Sequence, residues 1–219
     1  MIILALDTAG VDCSAAVYDS SSDTMLGSVS ETIGRGHAER LIDLIDAALA
    51  RAGMSLQDIG RIAVSVGPGS FTGIRVGVAA ARGFALSLGI KSVGVSTLDV
   101  LAAAHLETAT GRPVLAAIDA KRGEVYTRLF AADGTPMGEP EALSIADAKA
   151  LAGKFAADIV GSATPIVKDG AEAGTPDHFP IAWVARLGAR ADDATEKPKP
   201  LYLRGPDAKP QTGFALQHQ

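Results

Sequence analysis

One pattern occurs twice in the sequence and constrains the fold more than any other feature. Segments 4–18 (LALDTAGVDCSAAVY) and 116–129 (AAIDAKRGEVYTRL) each join an apolar strand to a second strand through a short turn containing glycine. The first strand ends on Asp7 in one segment and on Asp119 in the other. One explanation is a chance likeness between two ordinary β-hairpins. The other is a duplicated lobe, in which both aspartates end equivalent strands and face one cleft; a repeat of this kind decides the architecture.

Hydrophobic periodicity gives the first half of the chain the order β-β-β-α-β-α-β. Alternating or continuous apolar runs predict strands, and apolar residues three and four apart predict helices. Apolar residues line one side of the 37–52 segment, which ends before a capping Gly53. The predicted strands are 2–6, 13–18, 24–31, 61–66 and a run within 89–97, and the predicted helices are 37–52 and about 72–88.

A similar order begins again after a helical stretch at 98–106. Strands are predicted at 113–118, 124–130 and 158–161, and helices at 144–152 and 180–191. From Asp192 the composition becomes polar and rich in proline. We therefore predict an N-terminal lobe over 1–105, a C-terminal lobe over 106–205, and a disordered tail over 206–219.

Composition excludes some classes of protein. The 219 residues are 47% hydrophobic and 21% charged, enough to bury a core, and the net charge is −5 from 20 basic and 25 acidic residues. That balance argues against a surface that grips nucleic acid unaided. Cys13 is the only cysteine, so no internal disulfide can form. Without a signal-peptide pattern, or an uncharged run near the roughly 20 residues of a membrane helix, we expect a cytoplasmic location.

The loop GPGSFTGIR at 67–75 resembles a phosphate-binding loop. A Walker loop needs Lys followed by Ser or Thr after its last glycine, whereas Gly73 is followed by Ile74 and Arg75. A looser anion site remains open, with Thr72 as the helix N-cap. It would use backbone and side-chain groups of Gly69, Ser70, Thr72 and Arg75. The equal alternative is a strand-to-helix turn whose glycines serve only the backbone angles.

The helix after this loop carries a stripe of small residues spaced by four. Gly73, Gly77, Ala81 and Ala85 share one face. Glycine inside a helix costs about 0.8–1 kcal/mol against alanine, so a close backbone neighbour is the usual reason for it. That neighbour is either within the chain, the 37–52 helix or the sheet, or it belongs to another subunit. The sequence leaves both open.

Other candidate sites are weaker. Asp7 and Asp119 could hold a hydrated Mg²⁺, but aspartate is also common in turns. His37 begins a helix, yet position 41 is leucine, so no second ligand follows one turn later. No Ser-His-Asp set and no HExxH motif can be assigned. The sequence therefore predicts no metal site and no reaction centre.

Several motifs resemble the TsaB/YeaZ family. They are ILALDTAG, GRGHAERLIDLID, VGPGSFTGIRVGVAAARGFAL and, near the end, PLYLRGPDA, and the likeness is densest over 1–105. The resemblance implies an α/β, two-lobed actin/hexokinase/Hsp70-like (ribonuclease H-like) fold with duplicated β-β-β-α-β-α lobes. In that superfamily the two aspartate turns flank a nucleotide phosphate site, which would involve Asp7, Thr8 and Asp119.

The resemblance also implies a role without catalysis. Family members are accessory subunits that work with TsaD and the ATPase TsaE to form threonylcarbamoyladenosine beside the tRNA anticodon. TsaD carries a metal on a His-x-x-x-His helix, and Leu41 stands in for the second histidine here. We expect a TsaD heterodimer, a homodimer, tRNA contact only through the complex, no membrane, and no intrinsic cofactor apart from weak ATP or ADP with Mg²⁺ at a subunit boundary. The predicted partner interface comprises His37, Leu41, Leu44, Ile45, Gly73, Gly77, Ala81 and Ala85.

Two enzyme functions remain as alternatives. An ATP-binding kinase or ATPase of the same fold would use Asp7, Asp119 and the glycine turn. Against it, Asp12 places an acid where phosphate would lie. A metallopeptidase, suggested by the older glycoprotease-like label, finds no protease residues in this sequence.

Overall fold

The computed structural model describes residues 1–109, 111–192 and 196–204, which form two mixed sheets with flanking helices. The first half contains β1 (Ile2–Asp7), β2 (Asp12–Asp19), β3 (Thr24–Thr32), α1 (His37–Ala52), β4 (Arg61–Gly67), α2 (Phe71–Leu88), β5 (Lys91–Ser96) and α3 (Thr97–Thr108), with a 3₁₀ turn at Leu56–Asp58. The second half contains β6 (Val114–Asp119), β7 (Glu124–Phe130), β8 (Glu141–Ser144), α4 (Ile145–Phe155), β9 (Asp158–Val160), α5 (Thr164–Asp169) and α6 (Ile181–Arg190).

The first sheet has the order β3-β2-β1-β4-β5. β1 pairs antiparallel with β2 and parallel with β4, which pairs parallel with β5. Helices cover both faces: Gly77 of α2 lies over Val64, and Gly188 of α6 lies over Ala63. Because consecutive strand residues point to opposite faces, α2 and α6 lie on opposite sides of this sheet. The central strand β1 is therefore an apolar run that is buried from Ile3 onward.

The second sheet repeats the first. Its order is β8-β7-β6-β9, with β6 antiparallel to β7 and parallel to β9. Along the chain, β6-β7-β8-α4-β9-α5 matches β1-β2-β3-α1-β4-α2 element by element. The duplication predicted from the two aspartate hairpins is confirmed, and Asp7 and Asp119 end equivalent strands.

The predicted lobe boundaries need a correction at the C-terminal end. After the second sheet is complete, the chain returns to the first lobe, where α6 packs on β1, β2, β4 and β5. Residues 181–190 therefore belong to the first lobe and not to a second lobe extending over 106–205. The predicted disorder of 206–219 lies outside the described residues.

A buried arginine secures this returning helix. Arg61, at the start of β4, is only 6% exposed. Its Nη1 donates to the carbonyl oxygens of Gly188, Ala189 and Ala191 at 3.0, 3.3 and 2.9 Å. The last carbonyls of a helix have no partner within the helix and carry its partial negative charge. The buried Arg61 guanidinium supplies hydrogen bonds to these carbonyls from within the core.

Candidate functional site

A loop of the chain itself contacts both aspartate turns. The backbone N–H of Val11 donates to the carbonyl of Asp177 at 2.9 Å, and that of Gly174 donates to Oδ2 of Asp119 at 3.4 Å. A Cβ added to Gly10 would lie 2.2 Å from the Asp177 carbonyl oxygen. The 174–179 loop is thus packed against the first turn at backbone distance. The loop therefore occupies the gap between the two aspartate turns, and Asp7 and Thr8 are fully buried.

The carboxyl group of Asp7 is fully buried and only partly satisfied. Oδ1 accepts the N–H of Ala9 at 3.1 Å, whereas Oδ2 has no hydrogen-bond partner among the described residues. Burial raises the pKa of Asp7 to about 6, although the nearby Ser65 hydroxyl and the Ala9 N–H offset part of the rise. Oγ of Ser65 also lacks a partner in good hydrogen-bond geometry. A charge at this position destabilises the folded protein.

Replacing Asp7 by asparagine should remove a pH dependence of stability. The folded-state pKa lies above the unfolded value of 3.8, so the folded protein binds the proton more tightly. The contribution of Asp7 is therefore fully favourable below about pH 4 and is lost as pH rises through 6. From pH 4 to pH 7, the unfolding free energy of Asp7→Asn should rise relative to wild type by up to about 3 kcal/mol.

Urea unfolding of both proteins at several pH values measures this difference. Carboxyl groups whose pKa is lowered act in the opposite direction, but they are common to both proteins and cancel. A difference that stays constant from pH 4 to pH 7 would contradict the assignment of the shift to Asp7.

The pKa of Asp119, the aspartate of the second lobe, is shifted in the opposite direction from that of Asp7. Burial pushes the pKa of Asp119 upward, but hydrogen bonds and charge from Lys121 outweigh it, and the pKa is lowered overall. Nζ of Lys121 lies 2.6 Å from Oδ2 of Asp119. Its other neighbour in the loop, Asp177, is itself largely buried with a raised pKa because of desolvation. Asp119 is therefore paired within the chain.

The glycine-rich loop uses its backbone donors internally. The N–H of Ser70 donates to the Ala9 carbonyl at 2.7 Å, and the N–H of Gly73 donates to Oγ of Ser70 at 3.2 Å. Ser70, not Thr72, is the N-cap of α2, which corrects the predicted cap. A Cβ on Gly69 would lie 2.3 Å from the Ala9 oxygen. These contacts favour the strand-to-helix turn over the anion site.

The stripe of small residues packs inside its own lobe, so the prediction that it receives a neighbouring subunit is wrong. A Cβ on Gly73 would lie 1.9 Å from the carbonyl oxygen of Thr8, and one on Gly77 would lie 2.5 Å from Oγ1 of Thr8. Oγ1 of Thr8 donates to the Gly73 carbonyl at 2.7 Å. The close backbone neighbour inferred from the glycines is the turn after β1. Farther along the stripe, Ala81 and Ala85 are also buried.

The predicted contact residues of α1 are buried as well. His37 is 6% exposed, and its Nε2 is 3.1 Å from the Asp12 carbonyl oxygen. Leu41, Leu44 and Ile45 lie on the buried side of this amphipathic helix. All eight predicted interface residues therefore belong to the core of the first lobe: His37, Leu41, Leu44, Ile45, Gly73, Gly77, Ala81 and Ala85.

The outward faces of α1 and α2 carry three large exposed apolar residues instead. Ile42 of α1 is 48% exposed, and Phe71 and Leu86 of α2 are 55% and 82% exposed. Sequence reasoning missed them because it followed the strongest periodicity, which marks the buried side. The available signal was apolar residues lying off that stripe. Because α1 and α2 are in contact, we take their outward faces together as a candidate surface of the first lobe.

The two helices differ in the charges that they carry. The α2 sequence contains Arg75 and Arg82 and no acidic residue. In α1, Glu39 and Asp46 are exposed, whereas Asp43 pairs with Arg40 at 2.8 Å, and the helix also contains Arg51. By length and composition α2 is the one helix among the described residues that is apolar enough to cross a membrane, and about a third of it is buried. An apolar helix with so much exposed surface is unusual in a chain of net charge −5 and requires an explanation.

The C-terminal segment 198–204, which we call the strap, crosses from this face to the second lobe. The N–H of Leu201 donates to the Val66 carbonyl at 2.8 Å, and the Tyr202 ring lies 5.4 Å from that of Phe71. Arg204 then donates to the Ala120 carbonyl at 3.2 Å, in the turn after β6, and pairs with Glu124 at the start of β7. The strap therefore adds Tyr202 to the exposed face of α2.

No group of three or more His, Cys, Asp or Glu side chains is placed to hold a metal ion within the ranges described by the structure. In those ranges, Cys13 is buried and its pKa is raised to about 11, first by desolvation and then by nearby acids. It is a core thiol and not a nucleophile.

Comparisons with known proteins agree with this fold. The family model of TsaD, described as tRNA N6-adenosine threonylcarbamoyltransferase, matches residues 14–197. The solved structure of YeaZ from Pseudomonas aeruginosa superposes with a TM-score of 0.75 and 29% identity, covering 92% of this chain and 99% of that one. The tRNA threonylcarbamoyladenosine biosynthesis protein TsaB of Escherichia coli is 41% identical over 126 residues, 58% of this chain. The chain belongs to the TsaB/YeaZ family, within the wider TsaD family.

The match varies in extent between TsaB/YeaZ relatives. The chain spans about half the length of the curated TsaB proteins it matches, 53% of the E. coli protein and 55% of that from Bacillus subtilis. An uncharacterized protein of Mycobacterium tuberculosis is 34% identical over 221 residues, 95% of this chain and 94% of that protein. The two-lobed actin-like fold implied by the resemblance is confirmed by the duplicated sheets and the YeaZ structure.

Proposed function

We propose that the chain is an accessory subunit in the formation of threonylcarbamoyladenosine on tRNA and does not itself transfer the group. It would work with a TsaD homologue, which performs the transfer, and with TsaE. Support comes from the family and from the name shared by the E. coli and B. subtilis relatives. The observation that carries the proposal is the exposed apolar face of α1 and α2 next to a cleft filled by the chain's own loop.

The filled cleft supports a role without nucleotide chemistry inside this chain. An ATP-binding enzyme of this fold needs space for phosphates between the two aspartate turns. Here Gly10 meets the Asp177 backbone and Asp119 is paired with Lys121. We therefore propose that any ATP or ADP with Mg²⁺ binds at a boundary with another subunit, and that the kinase or ATPase alternative is the weaker one. The lack of a metal cluster among the described residues gives no support to a metallopeptidase.

The outward face of α1 and α2 is suited to protein association. Exposed apolar side chains gathered on one face mark interaction sites. Glu39 and Asp46 of α1 and the two arginines of α2 add charges of opposite sign, which help to fix register and partner choice. A TsaD homologue belongs to the same wider family, so its own equivalent helices could cross these two with α1 opposite α2. A second copy of this chain could use the same surface as a homodimer. We propose that tRNA is reached only through this complex, in the cytoplasm.

Replacing Leu86 by glutamate should abolish pairing with the TsaD homologue while leaving the fold intact. The side chain is 82% exposed, so its loss does not disturb the core, but a charge buried in an apolar interface is costly. Co-purification and a reconstituted modification assay, with and without this chain, measure the effect. The matched control is Met137→Glu, 47% exposed on the second lobe, which should pair normally.

Two results would contradict the proposal. One is modification by the TsaD homologue and TsaE at full rate when this chain is omitted. The other is modification by this chain alone, which would make it the transferase. Pairing that survives Leu86→Glu would instead move the interface to another surface.

A further inference from the structure

Arg75 lies beside two aromatic rings on the outer face of α2. Its guanidinium carbon lies 3.7 Å from the centre of the Phe71 ring and 5.9 Å from that of Tyr202. Its Nε donates to the Tyr202 hydroxyl at 2.9 Å. These contacts fix the plane of the guanidinium, while the residue stays exposed. Its two terminal nitrogens have no hydrogen-bond partner within the part of the chain that the structure describes.

The other stacked arginines among the described residues show what Arg75 lacks. Arg128 lies over Phe130 and pairs with Asp99 at 2.8 Å. The remaining two, Arg186 over Trp183 and Arg204 over Tyr126, pair with Asp23 and Glu107 and with Glu124 respectively. In each case a ring orients the guanidinium and a carboxylate satisfies its charge. Arg75 has two rings and, among the described residues, no carboxylate.

Its surroundings favour a protein carboxylate as the missing partner. A rigid guanidinium fork matches the two oxygens of a carboxylate in a bidentate pair. Phosphates of a nucleic acid would call for a cluster of cations, whereas the near neighbours here are the exposed rings of Phe71 and Tyr202. The position in the first turns of an 18-residue helix with no acid in its first turn also favours a negative group.

We propose that Arg75, oriented by Phe71 and the strap residue Tyr202, binds an aspartate or glutamate of the protein partner. The inference rests on the proposed function, since it names a contact within the same surface. It makes the strap part of the binding face, so the face includes a C-terminal segment as well as the two helices. Arginine and tyrosine are enriched among the residues that dominate binding at interfaces.

The test is the Kd between this chain and the TsaD homologue, measured by calorimetry at low and high salt. Arg75→Ala should raise Kd about 30-fold, because it removes a residue of hot-spot type. Arg75→Lys should raise it about 10-fold, because lysine keeps the charge but not the fork. Wild-type affinity should fall with salt more steeply than that of Arg75→Ala. The melting temperature should not change.

Two further variants separate recognition from a structural role. Lys154 lies 5.2 Å over the Phe155 ring on α4, and Lys154→Ala is the matched control, expected to bind within about twofold of wild type. Tyr202→Ala loosens the strap but keeps the arginine, so its loss of affinity should be smaller than that of Arg75→Ala. An equal or larger loss would mean that the strap, not the guanidinium, matters, and would overturn the proposal.

The remaining outcomes are also decisive. If the Kd of Arg75→Ala for the TsaD homologue lies within about twofold of the wild-type value, the proposed contact is wrong while the accessory function stands. If pairing is normal but the assembled complex loses affinity for tRNA, Arg75 meets phosphate and the carboxylate is wrong. If the wild-type protein does not bind the TsaD homologue at all, both the proposed function and the proposed contact are wrong.

Discussion

Gly73→Ala is expected to cost the protein more than about 3 kcal/mol of stability or to prevent folding, although it adds one methyl group. The new Cβ would lie 1.9 Å from the Thr8 carbonyl oxygen, a backbone atom that cannot rotate away. To admit it, α2 must move off the turn after β1. That movement would break the Thr8 to Gly73 hydrogen bond and the Ser70 to Ala9 hydrogen bond. Urea unfolding followed by circular dichroism measures the loss.

The same substitution ten residues later provides the control. Gly83 lies in α2 with no atom within 4 Å of an added Cβ. Gly83→Ala should stabilise the protein by about 0.5–1 kcal/mol, because alanine restricts the unfolded chain and favours the helix. A Gly73→Ala protein as stable as wild type, but unable to pair with the TsaD homologue, would restore the small-residue stripe as a subunit interface.

Arg61→Leu is expected to cost about 2–4 kcal/mol. Leucine fits the apolar surroundings but leaves the last carbonyls of α6 without the donor that now reaches three of them. Because α6 returns to cover one face of the first sheet, its loosening would expose the strands that form the centre of the lobe. The free energy of unfolding in urea, with hydrogen exchange of α6 amides, measures both effects.

Arg51→Leu is the matched control for this prediction. Arg51 is exposed and donates to a single carbonyl, that of Ser28, at 2.6 Å. It should cost less than about 1 kcal/mol, as surface changes usually do. Arg61→Lys should fall between the two, because an ammonium group keeps the charge but reaches fewer carbonyls. Equal losses for Arg51→Leu and Arg61→Leu would contradict the capping role.

Local patterns were sufficient where a segment's own periodicity specifies its structure. The predicted helix at 37–52 has the observed bounds, and Gly53 caps it in a left-handed conformation as expected. The Asp7 and Asp119 hairpins identified the duplication, because a strand, a turn and a second strand form from neighbouring residues. Between 130 and 190 the patterns were weaker, and sequence reasoning missed the short β8 and α5.

The candidate site was harder to predict because most of its residues meet across the fold. The glycines of α2 correctly indicated a close backbone neighbour, but helical spacing cannot say whether that neighbour is Thr8 or another protein. The sequence predicted Thr72 as the N-cap, whereas the structure uses Ser70, another short hydroxyl residue at the helix start. The partner of Asp177 in the filled cleft is the backbone of Val11, more than 160 residues away.

The sequence by itself determined the class of fold, the duplication, the principal helices and the family, because these depend on periodicity and on motifs read along the chain. Only the tertiary structure decided which face of α2 is buried, where α6 returns, what fills the cleft, and that Tyr202 joins Phe71 and Arg75. The physical reason is that these features are contacts between distant segments. A local sequence pattern cannot say which distant segment a residue will contact, and the close packing of the folded core decides it.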